Sequence, residues 1–208
     1  KGIHLFHFSH SLCSMKVRQA LEENAVHWTS HLVLLPVYQQ YEPEYVRINP
    51  RCVVPTLVCD GKVTTDSANI LNYIVSKLST VDISKKPSSY EFEAIALWLD
   101  KADSLPIEAL TYGDTRGTNK SFLFKKVADG GKAHEFKANL LRELIKRHEN
   151  EKQLHDAYES KLNIVEDTLT IIQTPSRINA LYDTADFFLM ELETQLLSGT
   201  FNENGWLA

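Results

Sequence analysis

Long apolar runs are missing from this chain: no stretch approaches the ~20 residues that a membrane-spanning helix needs. The first residues also lack the charged-then-apolar order of a signal peptide. No membrane partner is therefore expected, and a cytoplasmic setting is. Cysteine is scarce. The three present, Cys13, Cys52 and Cys59, are an odd number, which does not read as a disulfide framework and fits reduced thiols in a cytosolic protein. A basic stripe is absent too. Lys and Arg number 22 against 27 Asp and Glu, a formal net charge of -5, which argues against nucleic acid as the main partner. No internal repeat is visible, and no tyrosine precedes Tyr38. The run opens at Lys1 without an initiator methionine and stops at Gly205-Trp206-Leu207-Ala208, a partly apolar stub. Further residues are expected beyond it, at the C-terminus especially.

What remains is a chain of 208 residues with 43% hydrophobic content, enough for one or two domains. Residues 1–78 alternate strand and helix signals. Ile3 to Phe8 reads as a short strand, Met15 to Glu23 as an amphipathic helix, and Val26 to Leu35, closed by Pro36, as a second strand. Tyr41 to Val46 is a short helical stretch ending near Asn49-Pro50. Val53 to Cys59 is a strand, Asp60-Gly61 a two-residue hairpin turn, and Lys62 to Thr65 the returning strand. Asp66-Ser67 then starts a helix with Ile70, Leu71, Ile74 and Leu78 on its apolar face. The order β-α-β-α-β-β-α predicts a thioredoxin-like α/β layer with the hairpin at the sheet edge. Residues 79–90 read as a linker and residues 91–208 as an all-α domain. Phe92, Ile95, Leu99 and Ala102 mark one helix face there, with Trp98 read as a core residue and Pro106 ending or kinking that helix. Leu154, Tyr158, Leu162, Val165, Leu169 and Ile172 mark a second face. Ile178, Leu181, Tyr182, Ala185, Leu189, Leu192 and Leu196 mark a third. The stretch 111–132, with four glycines, reads as a long loop or broken helix, and the charge-rich run from Glu143 to Lys152 as a solvated helix face or end.

Three features carry chemistry. Cys13 falls in the first turn of the first helix, with Ser11 as the N-cap. Free backbone N–H groups, the positive end of the helix dipole and the nearby Lys16 favour a nucleophilic thiolate at such a place. A lone cysteine is as often a small buried filler. Val54-Pro55 opens a strand, where a cis peptide would leave the Val54 N–H and C=O free to pair with a peptide-like ligand. Asp66-Ser67 sets a carboxylate and a hydroxyl at a helix start, which suits the carboxylate and ammonium of an amino acid; a plain helix cap is the bland alternative. His7, His10 and Cys13 recur at regular spacing, but strand and helix separate them and no fourth ligand is near, so no metal is expected. His10 beside the helix head either tunes Cys13 or is an ordinary exposed histidine.

Across its whole length the sequence resembles the cytosolic glutathione S-transferase superfamily. Asn49-Pro50-Arg51-Cys52-Val53-Val54-Pro55 follows that family's Asn-Pro-x-Gly-x-Val-Pro pattern, with Cys52 in place of glycine. Asp66-Ser67 stands where Glu-Ser is usual. Phe8 to Arg18, Tyr45-Val46-Arg47, Val53 to Val58 and Leu110-Thr111-Tyr112-Gly113 are similar to the glutathione-dependent reductive dehalogenases of chlorinated hydroquinones. Ser104 to Pro106 and the loop after it resemble ganglioside-induced differentiation-associated proteins.

The resemblance implies that Val54, Pro55, Asp66 and Ser67 hold glutathione, the co-substrate, with its sulfur at the head of the first helix. It implies a thiolate helped by the hydroxyl of Ser11 or Ser14, and a Cys13–glutathione mixed disulfide cleared by a second glutathione. Tyr112, with Arg116 or Asp114, would meet a small aromatic or quinonoid substrate. A homodimer is expected on the same ground. Three readings stay open: reductive dehalogenation, a cysteine-type transferase with thioltransferase or glutathionyl-quinone reductase activity, and a non-catalytic binding module. The absence of tyrosine before Tyr38 removes a tyrosine-type transferase from the set.

Overall fold

The computed structural model of the chain describes residues 1–78, 97–113 and 130–197. These fall into two units, one built from residues 1–78 and 139–163, the other from 97–113, 130–138 and 164–197. The linker read at 79–90, together with Phe92 and Ile95, lies outside the described residues.

The first unit runs β1 (Ile3–His7), α1 (Leu12–Glu23), β2 (Thr29–Leu32), α2 (Pro43–Ile48), β3 (Thr56–Cys59), β4 (Lys62–Thr65) and α3 (Ser67–Tyr73). The strands order as β2-β1-β3-β4, with β1 parallel to β2 and antiparallel to β3. Side chains alternate faces along β1, so Leu5 joins one apolar layer and Phe6 the other. On the first face Leu5 and Leu57 meet Val17 and Leu21 of α1 and Ile70 of α3, with Ile74 just beyond it; all six are fully buried. Burying such side chains stabilises the fold by roughly 1.5–3 kcal/mol each. On the second face Val33, Tyr45 of α2 and Val54 pack with Phe6, Phe8 and Leu35. Asp60 and Gly61 turn the β3–β4 hairpin with φ of 47° and 87°, two successive left-handed residues whose twist matches the strands. The thioredoxin-like order expected for residues 1–78 is present.

Three strands are shorter than their sequence signals, β1 by Phe8 alone. β2 keeps Thr29–Leu32 of the run from Val26, because the chain enters a 3-10 turn at Leu35–Val37. β3 begins at Thr56 rather than Val53, since the residues before it form a loop through a cis Val54–Pro55 bond.

Among the described residues after 96 the helices are α4 (97–103), α5 (Ile107–Tyr112), α6 (Gly130–Arg147), α7 (Lys152–Ile172) and α8 (Pro175–Leu197). Pro106 is the N-cap of α5, so it separates that helix from α4. Of the faces expected here, Leu154, Tyr158, Val165 and Ile178 are buried. Leu99 and Leu189 are instead 52% and 57% exposed. At those two turns Trp98 and Phe188 take the inward places and face each other, ring centroids 5.6 Å apart, while the rest of the α8 face stays buried or half-buried. α6 starts at Gly130, inside the stretch read as a long loop or broken helix, and its Ala138, Leu141 and Leu144 are buried. The spacing of those three was the available signal. Among the described residues no helix is long and apolar enough to cross a membrane.

Candidate functional site

The register of the sheet brings the three chemical features to one end of the first unit. Phe6 pairs with Thr56, and Thr56 with Thr65. The loop to Cys13 leaves β1 just beyond Phe6, Val54–Pro55 enters β3 just before Thr56, and Asp66–Ser67 follows Thr65 directly. The same sheet end therefore carries all three.

Ser11 caps α1. Its backbone is extended, and its Oγ accepts the Ser14 N–H at 3.3 Å. Leu12 begins the helix because a short polar side chain there satisfies an N–H that the first turn leaves unpaired. Cys13 is exposed, as a reacting thiol must be. The two hydroxyls raised beside it differ. Ser14 is fully buried and its Oγ accepts the Phe8 N–H at 3.3 Å, which ties the loop to β1. Ser11 is only partly buried, at the helix mouth. His10 is exposed and bonded to Ser9, whereas His7 is turned into the core, so the His7, His10 and Cys13 series does not converge. Among the described residues, the group whose ligand atoms lie within 4.8 Å of one another is His155, Asp156 and Glu159 of α7, where Asp156 is already paired with Lys152 at 2.6 Å.

No hydrogen bond to the N–H or C=O of Val54 is present among the described residues, so both stay available to an extended ligand. The loop around it is braced from below. Asn49, fully buried, donates through Nδ2 to the Val53 carbonyl and to Thr56 Oγ1, both at 2.8 Å, and accepts the Arg51 N–H at 3.1 Å. Tyr45 donates its hydroxyl to the same Val53 carbonyl at 2.6 Å and lies 2.8 Å from Thr56 Oγ1. Burial pushes the Tyr45 phenol up, opposed by those bonds from Thr56 and Asn49. Sequence reading quoted Asn49 as part of a pattern but missed this bracing role. Its signal was a polar residue beside the buried Tyr45 and Val46.

Cys52 sits at φ 54°, in the left-handed region, which explains why glycine suits this position of the pattern. It is 1% exposed, its Sγ faces the Pro50 carbonyl at 3.5 Å, and burial pushes the thiol up to about 12. Such a thiol is not a redox partner at neutral pH. In a native thiol titration with Ellman's reagent, Cys13 is expected to react first and the part-buried Cys59 later. Cys52 should stay silent until denaturant is added; fast reaction of all three would contradict this placement.

Asp66 caps α3 from an uncommon left-handed conformation, φ 74°, its Oδ1 accepting the Ala68 N–H at 3.1 Å. Arg51 reaches its Oδ2 at 2.9 Å. The Arg51 hydrogen bond, above all, holds the Asp66 carboxyl below the usual carboxylate range. Ser67 is nearly buried and its Oγ has no partner among the described residues. A carboxyl whose folded pKa is depressed adds stability that is present above its unfolded pKa and lost as pH falls through the folded one. Because the Arg51–Asp66 pair is solvent-exposed, Arg51→Met is expected to cost only ~1 kcal/mol or less at pH 7. Urea midpoints at pH 7 and pH 3 should show that the variant's deficit shrinks in acid; a deficit that persists there would mean that Arg51 acts by packing.

Tyr112 ends α5 in the other unit, half-buried. Its ring stands edge-on to His134 with centroids 5.1 Å apart, and Lys137 Nζ lies 5.2 Å from its centroid. Glu108 Oε1 lies 3.1 Å from His134 Nε2 and also accepts from Lys137. Arg116 and Asp114 lie outside the described residues.

Residues 10–77, which contain every element of the first-unit site, match the family of glutathione S-transferase N-terminal domains. The chain is 38% identical to the tetrachloro-p-hydroquinone reductive dehalogenase of Sphingobium chlorophenolicum, over 53% of this chain and 44% of that protein. It is 28% identical to a 2,5-dichlorohydroquinone reductive dechlorinase of Sphingobium indicum, over 94% of this chain and 64% of that one. It is 24% identical to glutathione S-transferase TCHQD of Arabidopsis thaliana, over 95% and 68%. The chain thus spans about half to two thirds of the length of these relatives. Among solved structures, the β-etherase LigF from Sphingobium sp. strain SYK-6 superposes with a TM-score of 0.61 at 20% identity, covering 94% of this chain and 74% of that one, which shows the shared fold. Residues 10–77 are thus a glutathione S-transferase N-terminal domain, and the chain is similar to hydroquinone reductive dehalogenases in sequence and to LigF in fold.

Proposed function

We propose that this protein is a glutathione-dependent reductive dehalogenase of a halogenated hydroquinone, working through a Cys13–glutathione mixed disulfide. The observation that carries the reading is an exposed thiol in the first turn of α1, at the sheet end shared by the unpaired Val54 backbone and the Asp66–Ser67 pair. Glutathione's cysteinyl backbone pairs with Val54 in strand fashion beside Pro55. Its γ-glutamyl end takes the Ser67 hydroxyl and the Asp66 carboxylate, with Arg51 holding that carboxylate in place. The sulfur then points toward the head of α1, where Ser11 can hydrogen-bond it.

In the first half-reaction the glutathione thiolate forms a C–S bond to the carbon that bears halogen, in the quinonoid tautomer, and halide departs. The Cys13 thiolate next attacks the sulfur of that adduct. The S–S bond forms as the C–S bond breaks, and the electron pair left on the ring takes a proton, giving the dehalogenated hydroquinone. A second glutathione thiolate displaces the first from Cys13 and leaves as glutathione disulfide. Two glutathiones are oxidised while one carbon–halogen bond is reduced to carbon–hydrogen. Tyr112 and Arg116 are the proposed contacts for the aromatic ring, and the active species a cytoplasmic homodimer.

The test is halide release from a dichlorohydroquinone in the presence of glutathione. Stoichiometric halide, with two glutathiones consumed per turnover, supports the reading. Reduction of glutathionyl-hydroquinones without halide release from the parent would move the function to thioltransferase chemistry. Failure to bind glutathione would leave a non-catalytic module.

A further inference from the structure

Arg18 follows the fully buried Val17 on α1, and it reaches back to the loop that leads into its own helix. Its Nη2 donates to the Ser9 carbonyl at 3.1 Å, while its Nε is buried with no partner among the described residues. His7 closes β1 at 4% exposure, edge-on to Trp28 with ring centroids 5.5 Å apart. Its Nε2 lies 2.7 Å from Ser30 Oγ, and its Nδ1 is likewise buried with no partner among the described residues. Burial first, then the Arg18 charge and His31, hold this imidazole below the usual histidine range, so it is neutral. A neutral ring has one donor and one acceptor nitrogen. With Nε2–H donating to Ser30, Nδ1 is an acceptor in want of a donor, and the Arg18 Nε–H is a donor in want of an acceptor. A single water that accepts from the Arg18 Nε–H and donates to Nδ1 would satisfy both groups. Buried polar groups of complementary sense call for an explanation, and a bridging internal water is the common one.

We propose that Arg18 and His7, bridged by one buried water, are positioning residues that hold the Phe8–Ser11 loop and with it the aim of the Cys13 sulfur. The loop is tied at three points. Ser14 Oγ takes the Phe8 N–H, the Phe8 carbonyl takes the Ser11 N–H at 3.1 Å, and Arg18 takes the Ser9 carbonyl. The first joins the helix start to the residue that follows β1, and the second is internal to the loop. Arg18, with the water on its Nε side and Ser9 on its Nη2 side, adds a tie from the middle of the loop to His7 at the end of β1. A lysine keeps the charge but cannot serve both sides, because it lacks the planar fork. This role rests on the reading of Cys13 as the thiol that takes up glutathione's sulfur.

Two measurements test it. In the wild-type protein, long-range nitrogen–proton NMR correlations of His7 at pH 7 are expected to show the neutral ring protonated on Nε2. Protonation on Nδ1, or a doubly protonated ring, would overturn the arrangement in which the bridging water donates to His7. In Arg18→Lys and Arg18→Met the rate of Cys13 alkylation by iodoacetamide should fall about tenfold, the scale expected when a reacting group is slightly misplaced. The glutathione Kd should stay within about twofold, since Val54, Asp66 and Ser67 are untouched. Wild-type alkylation rates in the folded lysine variant would sink the positioning role, even if the methionine variant does not fold. Alkylation needs neither glutathione nor halide, so failure of the dehalogenase reading leaves this assay intact.

Discussion

Cys13→Ser is expected to bind glutathione normally yet stop after the first half-reaction, with the glutathionyl-hydroquinone accumulating and no dehalogenated product leaving. In the proposed cycle the first C–S bond is made by glutathione's own thiolate, whereas the second step needs a sulfur nucleophile to accept that sulfur, and a serine hydroxyl is far too weak near neutral pH. Turnover should fall by about three orders of magnitude or more, the scale seen when a nucleophile is deleted. Mass spectrometry of the intact wild-type protein, quenched in turnover, should find one glutathione on the peptide that contains Cys13 and none on Cys52. The assignment fails if the serine variant still yields the dehalogenated ring at a substantial rate. Stability should barely change, because Cys13 is exposed and its substitution leaves the Ser11 cap in place.

Asn49→Ala should give the largest loss of stability among the changes considered. Asn49 is fully buried and makes three hydrogen bonds, to the Val53 carbonyl, Thr56 Oγ1 and the Arg51 N–H. Each such bond contributes about 0.5–1.5 kcal/mol net, and stripping the side chain also leaves buried partners short of a donor. Tyr45 still serves Val53 and Thr56, so part of the loss is offset. The expected cost is about 3 kcal/mol, or roughly 6–12 °C in Tm for a chain of this size. Glutathione affinity should drop with it, since the same bonds brace the Val53–Pro55 loop whose backbone is offered to the ligand. Calorimetry and glutathione titration on the one variant check both. Unchanged affinity despite lost stability would mean that the loop holds its shape without Asn49.

Most of the first unit could be read from local signals. The Ser11 cap, the Cys13 position, the Asp60-Gly61 turn and the Ile70 and Ile74 face all depend on residues within a few positions of one another, and all appear as read. The strand ends, the outward turn of Leu99 and Leu189 and most of α6 did not. Leu99 and Leu189 have the right spacing for a core face, but spacing fixes a stripe only to within one residue when large apolar neighbours compete. Trp98 and Phe188 took the inward places by meeting each other across 90 positions of chain. α6 was hidden because its charged residues outnumber the few that it buries.

For the site, sequence alone determined which residue types stand where: a thiol in a helix's first turn, a Val-Pro strand entry, an acid and a hydroxyl opening another helix. It could do so because capping, turn chemistry and helix starts are short-range physics. Only the tertiary structure decided that Ser14 faces inward while Ser11 stays at the mouth, and that Cys52 is sealed off at a left-handed backbone position. It alone joined Asn49 to Val53, Arg51 to Asp66, and Arg18 to the loop before Cys13. Burial and the aim of a side chain depend on what the remote chain packs against it, and no local pattern encodes that.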